Sequence, residues 1–286
     1  MTRLFRSLIF VPGNNSRFLE KAKSLEADIV CFDLEDSVPL SEKGAARRLV
    51  RAALRSRSQY GESIFVRTNA PASGRIPDDL KQVVQKGIDG IVIPKVSNTG
   101  ELKAVEKALK AAEKKAKLGP IQIIPSIESA EGVVNAYEIS AFSKRVCAVV
   151  FGVFDLLSDL GIEYAKQSAG AAYSRAKIPV DCRAAGVPAI DAIWQDLEDD
   201  AGLAADCQVG KGLGYAGKSV IHPGQTETVH RIFHPNQTEI EWAKKVCEAY
   251  LKSVTRGRGA TVVDGRMIDE VHYKQARALL DLIRES

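Results

Sequence analysis

The sequence predicts a (β/α)8 (TIM) barrel with a C-terminal helical and lid-like extension. Two observations predict it. Eight short β-prone runs alternate with helix-prone segments, and that order implies parallel strands joined by right-handed crossovers. After each run stands a polar or charged residue: Asn14, Glu35 and Asp36, Arg67, Lys95, Glu128, Asp155, Asp191 and His222. In a closed parallel barrel these residues converge on the face where strands end, and barrels build their sites there. The length of 286 residues suits one such barrel. A doubly wound open sheet is the alternative arrangement of the same elements.

In chain order, Ser7-Leu-Ile-Phe-Val11 closes at Pro12-Gly13, and Ser16 caps a helix over 16–25 that carries Glu20 and Lys21. Ile29-Val-Cys-Phe32 runs into Asp33-Leu34-Glu35-Asp36, and a polar helix follows over 41–56. Ser63-Ile-Phe-Val66 ends in Arg67-Thr68-Asn69, with a loop at 70–77 and a short helix over 78–86. Gly90-Ile-Val-Ile93 ends in Pro94-Lys95. The lysine run on the helix over 99–117 reads as a solvated face. The fifth and sixth strands are expected at 121–124 and 146–151, with a helix over 132–142 between them. A helix over 165–177 precedes the seventh strand, Val187-Pro-Ala-Ile190. The eighth, Lys218-Ser-Val-Ile221, stops at His222-Pro223.

The barrel is thus read as residues 1–225 and the extension as 226–286. The extension reads as a helix over 238–255, a turn at Arg256-Gly-Arg-Gly259, a hairpin through Asp264-Gly265 and a last helix over 271–285. It is longer than barrel closure requires, which suggests a lid or an oligomer contact.

A net charge of +4 with mixed signs leans slightly toward anionic ligands. No basic stripe interleaves with aromatics, so nucleic acid is not an expected partner. The five cysteines show no CxxC pairing, and Cys31 and Cys147 lie in apolar runs. That usage fits buried thiols in a reducing cytoplasm. No signal peptide or stretch of membrane-spanning length is expected.

Glu128 and Asp155 end two apolar β-prone runs. Two acids at one barrel mouth suit a hard divalent cation such as Mg²⁺, with coordination sites left for water and a 2-oxo acid. Arg67 offers a planar fork to a carboxylate; its plainer role is an ion pair with Asp33 or Glu35. Asp33, Glu35 and Asp36 read either as groups that orient Arg67 and bound water or as purely structural acids. Gly212 and Gly217 followed by Lys218-Ser219 match the spacing of a phosphate loop. That reading is rejected, because such a loop needs a strand before it and a helix after it. Here polar residues precede it and a proline-stopped strand follows. Four scattered histidines do not support a zinc site.

Several segments together carry a resemblance. Arg6-Ser-Leu-Ile-Phe-Val-Pro-Gly13, Phe32-Asp-Leu-Glu-Asp-Ser37, Ile91-Val-Ile-Pro-Lys95, Ile127-Glu-Ser-Ala-Glu-Gly132, Phe151-Gly152 with Asp155-Leu156, and Gly217-Lys218 with Ile221-His-Pro223 resemble the HpcH/HpaI aldolase and citrate lyase β-subunit family. The malyl-CoA and citramalyl-CoA lyase branches are the most similar, and the likeness runs over about 6–280. The resemblance implies a Mg²⁺-dependent barrel, usually a trimer or a hexamer of two trimers. It places the metal acids on Glu128 and Asp155, and the carboxylate-gripping arginine on Arg67. It places an acid–base carboxylate from a neighbouring subunit's lid on Asp269, and a CoA-contacting lysine on Lys21. Phe10 and Val11 fall beside the thioester end; independently of the resemblance, Phe154, Ile221 and His222 are expected to contact the acyl-CoA as well. Apart from the resemblance, the run of acids after the second strand puts Glu35 and Asp36 in the expected catalytic set.

Phe154 stands where relatives are often acidic or small, and Trp194-Gln195 where many carry Tyr-Pro. Both departures bear on which acyl substrate is used. The expected activity is cleavage of a 3-hydroxyacyl-CoA to acetyl-CoA and a 2-oxo acid. Rival expectations are a class II aldolase acting on free oxo-acid adducts and a CoA-ester-binding subunit dependent on partner proteins.

Overall fold

The computed structural model describes residues 5–61, 63–164 and 169–285. The expected helix over 165–177 begins at residues that lie outside the described ones. Eight parallel strands close a barrel in sequence order, β1 to β8. They are β1 (Ser7–Pro12), β2 (Ile29–Asp33), β3 (Ile64–Arg67), β4 (Gly90–Ile93), β5 (Gln122–Ile127), β6 (Val149–Phe151), β7 (Ala189–Asp191) and β8 (Gly217–Val220). Closure is made by β1 and β8, with Leu8 opposite Ser219. The open-sheet alternative is thereby excluded.

The surrounding helices are α1 (Ser16–Lys21), α2 (Lys43–Arg55), α3 (Ile76–Val83), α4 (Thr99–Ala116), α5 (Ala130–Val134), α6 (Ala136–Ser140), α7 (Val153–Asp159), α8 (Ala169–Ala185), α9 (Asp200–Leu213) and α10 (Gln225–Phe233). Side chains alternate along a strand. One set fills the barrel interior, with Leu8, Ile29, Cys31, Phe65, Val92, Ile124, Val150 and Ile190 in a single cluster. The other set meets the helices.

The structure differs from the sequence reading in places. β5 continues past 124 through Pro125 to Ile127, which brings Glu128 directly to the strand end. β6 is shorter than expected, and Val146 contributes only an isolated bridge to Ile123. The helix expected over 132–142 is two short ones, α5 and α6. The polar residues 206–210 belong to helix α9, which the sequence reading did not include. Helices α7 and α10 were also not anticipated.

The chain divides into two compact units, Phe5–His230 and a second that contains Arg231–Ser286. In the second, α11 (Gln237–Thr255) starts with a capping box at Asn236 and Glu239. A hairpin of β9 (Ala260–Val263) and β10 (Arg266–Asp269) leads to α12 (Glu270–Glu285). Ala243, Val246, Val263, Ile268 and Ala276 form this unit's own apolar core.

Candidate active site

At the strand ends of the barrel lies a cavity of about 500 Å³, a volume typical of small-ligand sites. Phe10, Val11, Lys21, Arg67, Glu128, Phe154, Asp155, Ile221 and His222 all line it. The structure thus gathers nine sequence-selected residues, from β1, α1, β3, the end of β5, α7 and the end of β8. Asp155 is delivered differently from the sequence reading. It stands in the first turn of α7 rather than at a strand end.

Arg67, the last residue of β3, is held by Asp33, the last of β2. Nε donates to Oδ1 at 2.7 Å and Nη2 to Oδ2 at 2.7 Å. Asp33 is fully buried and also accepts from the Ser37 hydroxyl at 2.5 Å. This side-on pairing fixes the plane of the guanidinium and leaves protons on Nη1 and Nη2 for another carboxylate. Burial opposes the charge on Arg67. The Asp33 carboxylate outweighs it, with help from Glu35 and Glu128, and raises the pKa. Burial likewise opposes the charge on Asp33, and Arg67 outweighs it, so that carboxyl lies below its usual range. Arg67 also lies 4.4 Å from the centre of the Phe10 ring, a cation–π contact.

Glu128 is 6% exposed. Burial pushes its carboxyl up to about 7. Neighbouring Glu35 and Asp155 add to the rise, while Ser126 and Arg67 oppose it. Among the described residues its Oε2 has no hydrogen-bond partner. A Cβ on Gly152 would lie 2.4 Å from Glu128 Cγ, so only glycine lets the chain pass this close.

Glu35 and Asp36 are placed beside this cavity, not among its lining. Lys95 Nζ contacts Glu35 Oε1 at 3.0 Å, Asp36 Oδ2 at 2.9 Å and Asp155 Oδ1 at 3.3 Å. Glu35 Oε2 lies 3.2 Å from Arg67 Nη1 but out of hydrogen-bonding line, so that buried oxygen is also unsatisfied. Burial raises the Glu35 pKa despite Arg67 and Lys95. Lys43 Nζ steadies this loop by donating to the Leu34 and Glu35 carbonyls, at 2.7 and 2.6 Å.

The remaining strand-end residues are not all at the site. Asn14 donates to Glu42. Asp191 is fully buried and bound by Arg175 and Lys218, which also bind Asp206. Lys218 therefore sits inside β8 in an ion-pair network, and helix α9 precedes it. That order is the reverse of a phosphate loop. Asp269 belongs to the other unit. It accepts from the backbone of Val271 at 3.0 Å and pairs with His272 Nδ1 at 2.6 Å. The His272 hydrogen bond lowers its pKa.

The donor set fits a hard divalent cation. Asp33, Glu35, Asp36, Glu128 and Asp155 face Arg67, Lys95 and Lys43, which leaves two negative charges uncompensated when Glu128 is ionised. The oxygens are carboxylate, the type such cations prefer, and one buried oxygen of Glu128 is unsatisfied. Among the described residues no group of three or more His, Cys, Asp or Glu side chains could hold a metal by itself. Glu128 and Asp155 would therefore share the ion with non-protein ligands.

The fold and this cavity define a (β/α)8 barrel whose strand-end site joins paired acids to a buried, oriented arginine. The chain belongs to the HpcH/HpaI aldolase/citrate lyase family: the family model matches residues 6–223, and this is a family of enzymes. A (3S)-malyl-CoA thioesterase of Cereibacter sphaeroides is 34% identical over 277 residues, 96% of this chain and 93% of that one. A citrate lyase subunit beta of Escherichia coli is 33% identical over 281 residues, 98% and 93% of the two chains. Protein CitE from Mycobacterium tuberculosis, solved with magnesium, acetoacetate and coenzyme A, is 25% identical with a TM-score of 0.81, over 98% of each chain.

Proposed function

We propose that this chain is a Mg²⁺-dependent carbon–carbon lyase that cleaves a 3-hydroxyacyl-CoA to acetyl-CoA and a 2-oxo acid. The observation that carries the reading is one cavity lined by Glu128, Asp155 and Arg67 and also by Phe10, Val11, Phe154 and Lys21. The ligands recorded for the Mycobacterium tuberculosis relative, magnesium with acetoacetate and coenzyme A, support it.

Glu128 and Asp155 would hold the cation. A bound divalent ion supplies Lewis-acid polarisation of the substrate's hydroxyl and carboxylate oxygens. Arg67, kept in plane by Asp33, grips the carboxylate and fixes the angle of the bond to be broken. Lys21, which lines the same cavity, pairs with the anionic CoA moiety. Bond breakage leaves negative charge on the thioester fragment. Phe10 and Phe154 give that part of the cavity apolar walls, which strengthen charge interactions beside them. Asp269 is the proposed acid–base group: it gives the fragment's carbon a proton, made good by the one the hydroxyl loses as it becomes the oxo group, or takes one in the condensation direction. A trimer or hexamer, in which a neighbouring copy lends Asp269, is part of the proposal, as is a cytoplasmic location.

A second reading is hydrolysis of the thioester, favoured by the name of the Cereibacter sphaeroides relative. One experiment separates the two. The purified chain is incubated with Mg²⁺ and malyl-, citramalyl- or citryl-CoA, and the products are identified. Acetyl-CoA with a 2-oxo acid supports the lyase. Free CoA with an intact hydroxy acid supports the thioesterase. Turnover only with added partner proteins supports a dependent subunit, and equal turnover of the free hydroxy acid supports a class II aldolase.

A further inference from the structure

We propose that Lys95 sets the affinity of the Glu128 and Asp155 pair for its divalent cation. It is a positioning residue and counter-charge, not a substrate contact. The inference rests on the metal-dependent reading above.

Lys95 follows β4 and Pro94, and its backbone sits in the left-handed region at φ 54°. A residue with a Cβ is rarely found there and needs its surroundings to hold it. Three carboxylates do so. The ammonium lies 2.9–3.3 Å from Asp36, Glu35 and Asp155, which come from the loop after β2 and the first turn of α7. Lys95 does not line the cavity, and its side chain is 35% exposed. Its reach is nevertheless central. Through Glu35 it meets the Arg67 end of the site, and through Asp155 Oδ1 the acidic end.

Two effects on the cation oppose each other. Contact with the ammonium holds Asp155 in one orientation, which favours binding. The same positive charge sits beside a ligand oxygen, and both cations draw on it. Restricting one short side chain is the smaller effect; a full charge 3.3 Å from a proposed ligand oxygen is the larger. Lys95 therefore weakens the hold of the Glu128 and Asp155 pair on the ion.

Calorimetric titration of the full chain with Mg²⁺ tests this. Lys95→Asn removes the charge while tolerating the left-handed backbone, and it should bind Mg²⁺ roughly tenfold more tightly than the parent. Lys95→Gln is a second neutral variant and should tighten in the same way. Lys95→Arg keeps the charge and should stay within about threefold of the parent. A merely structural lysine would lower thermal stability without any gain in affinity. Unchanged or weaker binding in the neutral variants overturns the inference. A parent chain that binds no Mg²⁺ overturns the metal-dependent reading itself, and the inference with it.

Discussion

Glu128 carries its charge at a disadvantage. Burial lifts its pKa to about 7, against 4.5 for the unburied group. The folded state thus binds a proton between these values that the unfolded state does not, and stability falls as pH rises through that window. Without divalent cation, the parent should lose roughly 3 kcal/mol between pH 4.5 and 8 from this group. Glu128→Gln should remove that slope, measured by denaturant titration at several pH values, and abolish metal-dependent turnover. Asp33→Asn breaks a buried ion pair and should cost about 3–5 kcal/mol, while raising KM for the oxo acid in the condensation direction at least about tenfold. The acids and the arginine were legible because they terminate β-prone runs. The left-handed backbone of Lys95 and the closeness of Gly152 to Glu128 were not, since contacts between distant segments decide both.

Among the elements, the barrel strands were readable from their short apolar runs, while three helices were not. Helix α9 holds glycines that local propensity counts against a helix. Gly210 is there because Asp191 approaches it: a Cβ would lie 2.7 Å from Asp191 Oδ2. The same Asp191 was expected at the barrel mouth, yet Arg175 and Lys218 hold it in a buried network. Lys218→Met should therefore destabilise the fold by about 3–5 kcal/mol by leaving Arg175 alone against the two carboxylates of Asp191 and Asp206, visible as a lower urea midpoint, with no nucleotide hydrolysis lost. The turn into α7 is equally constrained. Gly152→Ala forces Glu128 to move, so Mg²⁺ affinity should fall at least about tenfold, as read by calorimetry. At the end of the hairpin, Asp269→Asn should lose turnover and retain CoA-ester binding, measured by titration with acetyl-CoA. Full activity of that variant would remove Asp269 from the mechanism.

At the scale of the molecule, the eight-stranded closure followed from the alternation of strands and helices, and the likeness of ordered segments to one family pointed to the chemistry. Asp269 shows where residue spacing ran out: nothing in its local pattern marks it, and only the resemblance selected it. If a neighbouring copy lends Asp269, mixed assemblies of Glu128→Gln and Asp269→Asn chains should regain part of the activity that each lacks alone. The most direct test of the central claim is a crystal of the full chain grown with Mn²⁺ and pyruvate, with anomalous scattering recorded at the manganese edge. The account predicts one strong peak within about 2.0–2.3 Å of a Glu128 and an Asp155 oxygen. A peak elsewhere, or none at this pair while turnover still requires the metal, would contradict it.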